Sequence, residues 1–166
     1  MSRKPTAHPP RSACITAEGR QRLEQEYQRL WSVERPKLAR EVGEAAALGD
    51  RSENAEYIYG KKRLREIDSR LEFLSRRLDE LQVIAPEDRR DGIVRFGAWV
   101  ELVDDAGKRV EYQIVGPDEF DVETGRISMD SPLGSALLGK CAGDEVAVRR
   151  PKGDAVFEIT GVRYRS

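Results

Sequence analysis

Tyr57, Gly60, Leu64, Ile67, Leu71, Leu74, Leu78 and Leu81 stand alternately three and four residues apart, without a slip. That spacing gathers them on one face of an α-helix, and its average is that of a coiled-coil seam. A helix from 53 to 82 would run roughly 45 Å at 1.5 Å per residue. Such a helix cannot bury its own stripe, so the chain must supply a partner. The nearest one precedes it. Leu23, Tyr27, Leu30, Trp31, Leu38 and Val42 recur mostly at three, four and seven, as far as about Ala47. Thr16 is placed to cap this first arm, with Glu18 in its first turn. The link at 48–52 is short, and short links join antiparallel neighbours. The seam therefore predicts an antiparallel coiled-coil hairpin with 48–53 at its tip. Pro36 removes a hydrogen bond inside the first arm, so either a bend there or two shorter helices is expected.

The pattern changes after Val83-Ile84. "APEDRRDG" (85–92) is a polar connector. Val94, Phe96, Ala98, Val100 and Leu102 then alternate with polar neighbours. "DDAGK" (104–108) reads as a hairpin turn, and Val110, Tyr112 and Ile114 alternate on the return. "RISMD" (126–130) is a third strand. "SPLGSALLG" (131–139) suits a short helix capped by Ser131 with Pro132 in its first position. "VAVRR" and "AVFEITGVRY" complete the sheet. The expected fold class is α+β. Residues 15–84 form the coiled-coil hairpin, 85–92 the connector, and 93–166 a small, mostly antiparallel β domain with one short helix. Residues 1–14, with three prolines and no large side chain in an apolar run, are expected to be a disordered basic tail.

Composition enters mainly by exclusion. The formal net charge of −1 gives no global field toward nucleic acid or membrane, so electrostatic function must come from local segregation. The lone histidine, His8, lies in the Pro-rich tail, and Cys14 and Cys141 are not in metal-ligand spacing. No apolar run approaches the ~18 residues of a membrane span. No histidine base, paired cysteine or phosphate-binding glycine loop suggests an enzyme. The expected compartment is the cytoplasm.

Three constellations could carry chemistry. At the tip, Asp50 or Ser52 could cap the second helix, with Glu53 following as in a capping box and Gly49 ending the first arm. Alternatively, Asp50 and Glu53 form an exposed carboxylate pair. Hard oxygen donors of that kind suit Mg²⁺, weakly and only with ligands from a partner. On the second helix, Glu56, Arg63, Arg70 and Arg77 flank the seam at a seven-residue period, with Lys61, Lys62 and Arg65 nearby. These charges either pair with Glu24, Glu26, Glu34, Glu41 and Glu44 of the first arm or make a basic line that meets phosphates. Tyr57 fits the seam, whereas Tyr59 does not and is expected to be exposed. Asp130-Ser131-Pro132 starts the short helix, and a binding loop there is compatible with the same residues.

"LGDRSENAEYIYGKKRLREID" (48–68) closely resembles the bacterial transcript cleavage factors of the GreA/GreB family. "LW..ERP" (30–36), "FGAWVEL" (96–102) and "ISMDSPLGSALLGK" (127–140) resemble it in the same order. The resemblance covers about residues 15–164 and lies nearer the GreB branch. It implies an N-terminal coiled coil and a C-terminal domain similar to the FKBP type. It also implies a factor that binds RNA polymerase and inserts the coiled coil through the secondary channel. There it stimulates cleavage of backtracked RNA by the polymerase itself. Matched by motif, Asp50 and Glu53 would help hold a Mg²⁺ shared with the polymerase. Lys61, Lys62, Arg63, Arg65 and Arg70 correspond to the patch facing the nascent RNA 3′ segment. Asp130, Ser131 and Pro132 match the polymerase-binding loop. A monomer without a membrane partner is expected. The tail is not required by the family pattern. The second reading is a secondary-channel regulator that binds polymerase without promoting cleavage.

Overall fold

The computed structural model describes residues 11–49, 54–87 and 90–165. It divides into two units, a helical one over residues 18–81 and a sheet-bearing one that takes both the residues before it and those after it.

The helical unit is the expected hairpin. Helix α1 (Ala17–Arg29) runs through a π-helical turn (Leu30–Glu34) into α2 (Arg35–Ala46), and α3 (Ala55–Glu80) returns. Leu23, Leu30 and Ala45 on the first arm and Ile67, Leu71, Leu74 and Leu81 on the second are buried. Tyr57, Leu64 and Leu78 are half-buried. Gly60 also belongs to the seam, for a steric reason. A Cβ at that position would lie 2.5 Å from Val42 Cγ2, so the two helices approach only because the side chain is missing. Trp31, expected on the apolar face, is 55% exposed. Leu30 takes the seam position, and its neighbour points about 100° away around a helix of 3.6 residues per turn.

The disturbance expected from Pro36 appears one turn earlier, as the π-helical turn. The Arg35 N–H reaches back five residues to the Leu30 carbonyl. Widening this turn relieves the crowding that a proline ring imposes on the preceding carbonyls. The end of α3 is satisfied from the opposite arm. Arg20 Nη1 donates to the carbonyls of Leu78 and Leu81, at 3.2 and 3.4 Å. No described helix is long and apolar enough to cross a membrane.

The sheet-bearing unit contains β1 (Cys14–Ile15), β2 (Gln82–Val83), β3 (Trp99–Asp104), β4 (Arg109–Val115), β5 (Arg126–Ser128), α4 (Pro132–Leu137), β6 (Glu145–Val148) and β7 (Ala155–Arg163). The main sheet has the order β5-β4-β3-β7-β6 and is antiparallel except for the parallel β4–β5 pair. Opposite Glu101 and Leu102 of β3 stand Gly161 and Ile159, so Thr160 bulges out of the ladder. Its hydroxyl donates to Glu101 Oε1 at 2.8 Å. Val94, Ala98, Val100, Leu102, Ile114, Leu137, Val146 and Ile159 form one core. The alternation from Val94 suggested an earlier strand start. Instead the Ala98 N–H closes a turn on the Arg95 carbonyl, and β3 begins at Trp99. The turn at 104–108 is as expected, with the Asp104 carboxylate accepting the N–H groups of Ala106 and Lys108.

The expected tail boundary is corrected. Residues 11–14 are placed in the sheet-bearing unit, and β1 pairs in parallel with β2. Residues 1–10 of the expected tail lie outside the described residues.

Candidate functional site

The arms end where the tip begins. The Leu48 N–H closes the last turn of α2 on the Ala45 carbonyl at 3.2 Å, and Gly49 follows with φ +124°. Asp50 and Glu53, the expected site acids, lie with Arg51 and Ser52 outside the described residues. The cap expected at Asp50 or Ser52 is supplied by Asn54. Its Oδ1 accepts the Tyr57 N–H at 3.2 Å, and α3 starts at Ala55 rather than at 53. Asparagine is as good an N-cap as aspartate and stands directly before the first helical residue. The same side chain donates from Nδ2 to the Ala45 carbonyl at 2.8 Å. One amide thus ties the start of α3 to the end of α2 at the base of the tip.

The basic residues along α3 divide into two groups. Lys61, Lys62 and Arg65 are exposed, with Lys61 Nζ 5.3 Å above the Tyr57 ring. Among the described residues no hydrogen bond or ion pair occupies Lys62 or Arg65. Arg63 pairs along its own helix with Glu66 at 3.3 Å. Arg70 is held by both oxygens of Glu26, at 2.8 and 2.9 Å. That hydrogen-bonded guanidinium lowers the Glu26 pKa from the ordinary glutamate value. Arg77 is buried and reaches Glu80 at 3.4 Å. The seven-residue arginine line is therefore not a continuous exposed face. Arg70 pairs across the seam with Glu26, as the pairing alternative expected, whereas Arg77 is buried and pairs within its own helix. Arg35 adds a second cross-arm pair with Asp68, at 2.7 Å.

Tyr59 is 69% exposed, as its position off the seam suggested. It borders a shallow groove of about 400 Å³ between the arms, together with Leu38, Val42, Ala45, Leu48 and Gly60. Among the described residues no group of three or more His, Cys, Asp or Glu side chains could hold a metal ion.

Asp130, Ser131 and Pro132 are brought together at the start of α4. The Ser131 hydroxyl accepts the Gly134 N–H at 3.0 Å and donates to the Ser128 carbonyl at 2.6 Å. Pro132 opens the helix. The Asp130 N–H bonds Ser128 Oγ at 3.1 Å, while its exposed carboxylate accepts the backbone N–H of Ser12 at 2.9 Å and the Ser12 hydroxyl. Nothing in the sequence pointed to Ser12, because residue spacing carries no signal across 118 positions. Asn54 was more accessible, as a capping residue type directly before a helical run.

Two family models match nearly the whole chain. One, described as "Transcription elongation factor, N-terminal", covers residues 13–83. The other, described as "Transcription elongation factor, GreA/GreB, C-term", covers 89–164. Transcription elongation factor GreB of Haemophilus ducreyi is 55% identical, covering 93% of this chain and 95% of that protein. The factor of the same name from Yersinia pestis is 52% identical over 93% of this chain and 91% of its own length. That of Pseudomonas aeruginosa is 52% identical over 94% and 95%.

Proposed function

This chain belongs to the GreA/GreB family of transcription elongation factors, and we propose that it rescues arrested RNA polymerase by stimulating cleavage of backtracked RNA. The observation that carries this reading is the stretch "GDRSENA" (49–55) at the turn of a coiled-coil hairpin, its flanks ending α2 and starting α3. Two carboxylates, Asp50 and Glu53, fall within that stretch of the sequence.

The donor chemistry fits a shared Mg²⁺. Carboxylate oxygens suit this hard ion, which keeps most of its shell for water and other ligands. Two acids hold it poorly, so the remaining ligands come from the polymerase. When bound, the ion makes its water more acidic and offsets charge developing at the phosphodiester. The residues of this chain deliver and orient. Helix α3, about 39 Å long at 1.5 Å per residue, is stiff enough to carry the acids into the secondary channel. Lys61, Lys62 and Arg65, one to three turns along, offer cations to the phosphates of the nascent RNA 3′ segment. Arg63 and Arg70 add to that patch only by exchanging Glu66 and Glu26 for phosphate. The loop at Asp130, Ser131 and Pro132 docks on the polymerase, and the factor acts as a monomer. It is not itself the enzyme, since the bond is cut at the polymerase's own centre.

Cleavage by backtracked complexes tests the reading. Asp50→Asn and Glu53→Gln should each reduce stimulated cleavage by about 100-fold or more, with polymerase affinity within about twofold of wild type. Wild-type cleavage by the double variant would remove the acids from the mechanism. Absence of stimulation by the unmodified protein, with binding intact, would favour the alternative of a channel regulator without cleavage activity.

A further inference from the structure

Residues 11–16 precede the hairpin in sequence, yet they belong to the sheet-bearing unit. Thr16 donates its N–H to Glu119 Oε2 at 2.8 Å and its hydroxyl to Oε1. Cys14 and Ile15 pair with Gln82 and Val83. The Cys14 carbonyl lies so close to Gly116 that a Cβ there would be 1.9 Å from it. Arg11 donates to the Pro117 carbonyl at 3.2 Å and stands 3.7 Å from Asp118. The segment is therefore fixed on both sides of Ser12.

Ser12 in turn gives one donor to each oxygen of Asp130, its N–H to Oδ2 and its hydroxyl to Oδ1. The loop fixes the Asp130 backbone through Ser128, but among the described residues only Ser12 holds the carboxylate. An exposed aspartate otherwise samples several staggered rotamers. Two donors from one residue select one χ1 and fix the carboxylate plane. Each oxygen keeps acceptor capacity, and Asp130 stays exposed with Ser12 in place. The contact orients the carboxylate without covering it.

We infer that Ser12 is a positioning residue, presetting the Asp130 carboxylate for a cationic hydrogen-bond donor on the polymerase. This rests on the reading of residues 130–132 as the polymerase-docking loop. A preset carboxylate loses less rotamer freedom on forming a charge-assisted bond.

The test measures polymerase binding by the full-length protein in a double-mutant cycle, with side-chain scalar couplings of Asp130 in the free protein as a second readout. Ser12→Ala should weaken binding about 3- to 10-fold, the range expected for one lost hydrogen bond. Ser12→Thr, which keeps the hydroxyl, should restore it. In an Asp130→Ala background, Ser12→Ala should have no further effect. The couplings should report one χ1 rotamer in the wild type and averaging in Ser12→Ala. Equal weakening in both backgrounds would overturn the inference, because Ser12 would then act independently of Asp130. So would tighter binding by Ser12→Ala, or unchanged binding and couplings alongside a weakening by Asp130→Ala. If Asp130→Ala binds like wild type, the docking assignment itself fails and the inference falls with it.

Discussion

At position 54 one amide faces two helices. Its oxygen accepts from the Tyr57 N–H and its nitrogen donates to the Ala45 carbonyl. Aspartate could do the first but not the second, and alanine neither. Stability against urea should therefore rank wild type above Asn54→Asp and Asn54→Asp above Asn54→Ala. The alanine variant should lose about 1–2 kcal/mol with the cap, and the aspartate variant about 0.5–1 kcal/mol with the cross-arm bond. Equal stability of wild type and Asn54→Asp would show that the Ala45 bond adds nothing. A single side chain also decides the fate of the arginine line. A seven-residue period shows which residues share a flank, but not whether Glu26 across the seam has already taken Arg70. That choice depends on the stagger of the two arms.

Among the elements, the packing of α2 on α3 turns on the missing side chain at Gly60. Alanine is the better helix former by about 1 kcal/mol, so an exposed glycine there would be improved by substitution. Here the new methyl meets the stiff Val42 side chain at 2.5 Å. Overpacking of that kind costs about 1–3 kcal/mol. Gly60→Ala should therefore destabilise the protein by about 1 kcal/mol in thermal or urea unfolding, and should become stabilising in a Val42→Ala background. The same sign in both backgrounds would mean that Val42 is not what excludes a side chain. The π-helical turn was legible in part. Pro36 announced a disturbance, and the step from Leu30 to Leu38 is eight residues where the seam elsewhere keeps seven. Strands β1 and β2 were not legible, because two residues have no period to read. The parallel placement of β5 was equally hidden, since alternation does not fix direction.

For the whole molecule, each unit holds a carboxylate shifted by an arginine. Glu26 of the hairpin is lowered by the hydrogen bond from Arg70. Asp91 of the sheet-bearing unit is lowered by the bond from Arg95, with help from the Ile93 N–H. Both folded-state values lie below the unfolded ones. Their stabilisation is thus fully present above the ordinary carboxylate range, about pH 4, and is lost as pH falls through the depressed values. Thermal stability should decline below about pH 4, and Glu26→Gln with Asp91→Asn should flatten that decline while lowering stability at neutral pH. An unchanged profile would show that screening by solvent leaves these pairs without effect. At this scale the sequence disclosed the order of the parts, because a long uninterrupted seam followed by alternating strands admits few arrangements. It did not disclose that residues 11–16 join the sheet-bearing unit, since that depends on side-chain bonds between distant positions. The tip acids were legible as residues, and their geometry lies outside what the structure describes.

The widened turn at Leu30–Glu34 bears on how this arm tolerates change in length. In an unbroken helix, one added residue swings everything beyond it through about 100°. Here Leu30 and Leu38, eight apart, both still face α3, because the surplus is taken up within a single five-residue turn. The arm can thus accommodate an inserted residue at mid-length while its far end keeps its bearing. For a lineage in which insertions and deletions accumulate, such a turn confines a change of length to one place and leaves the tip aimed as before.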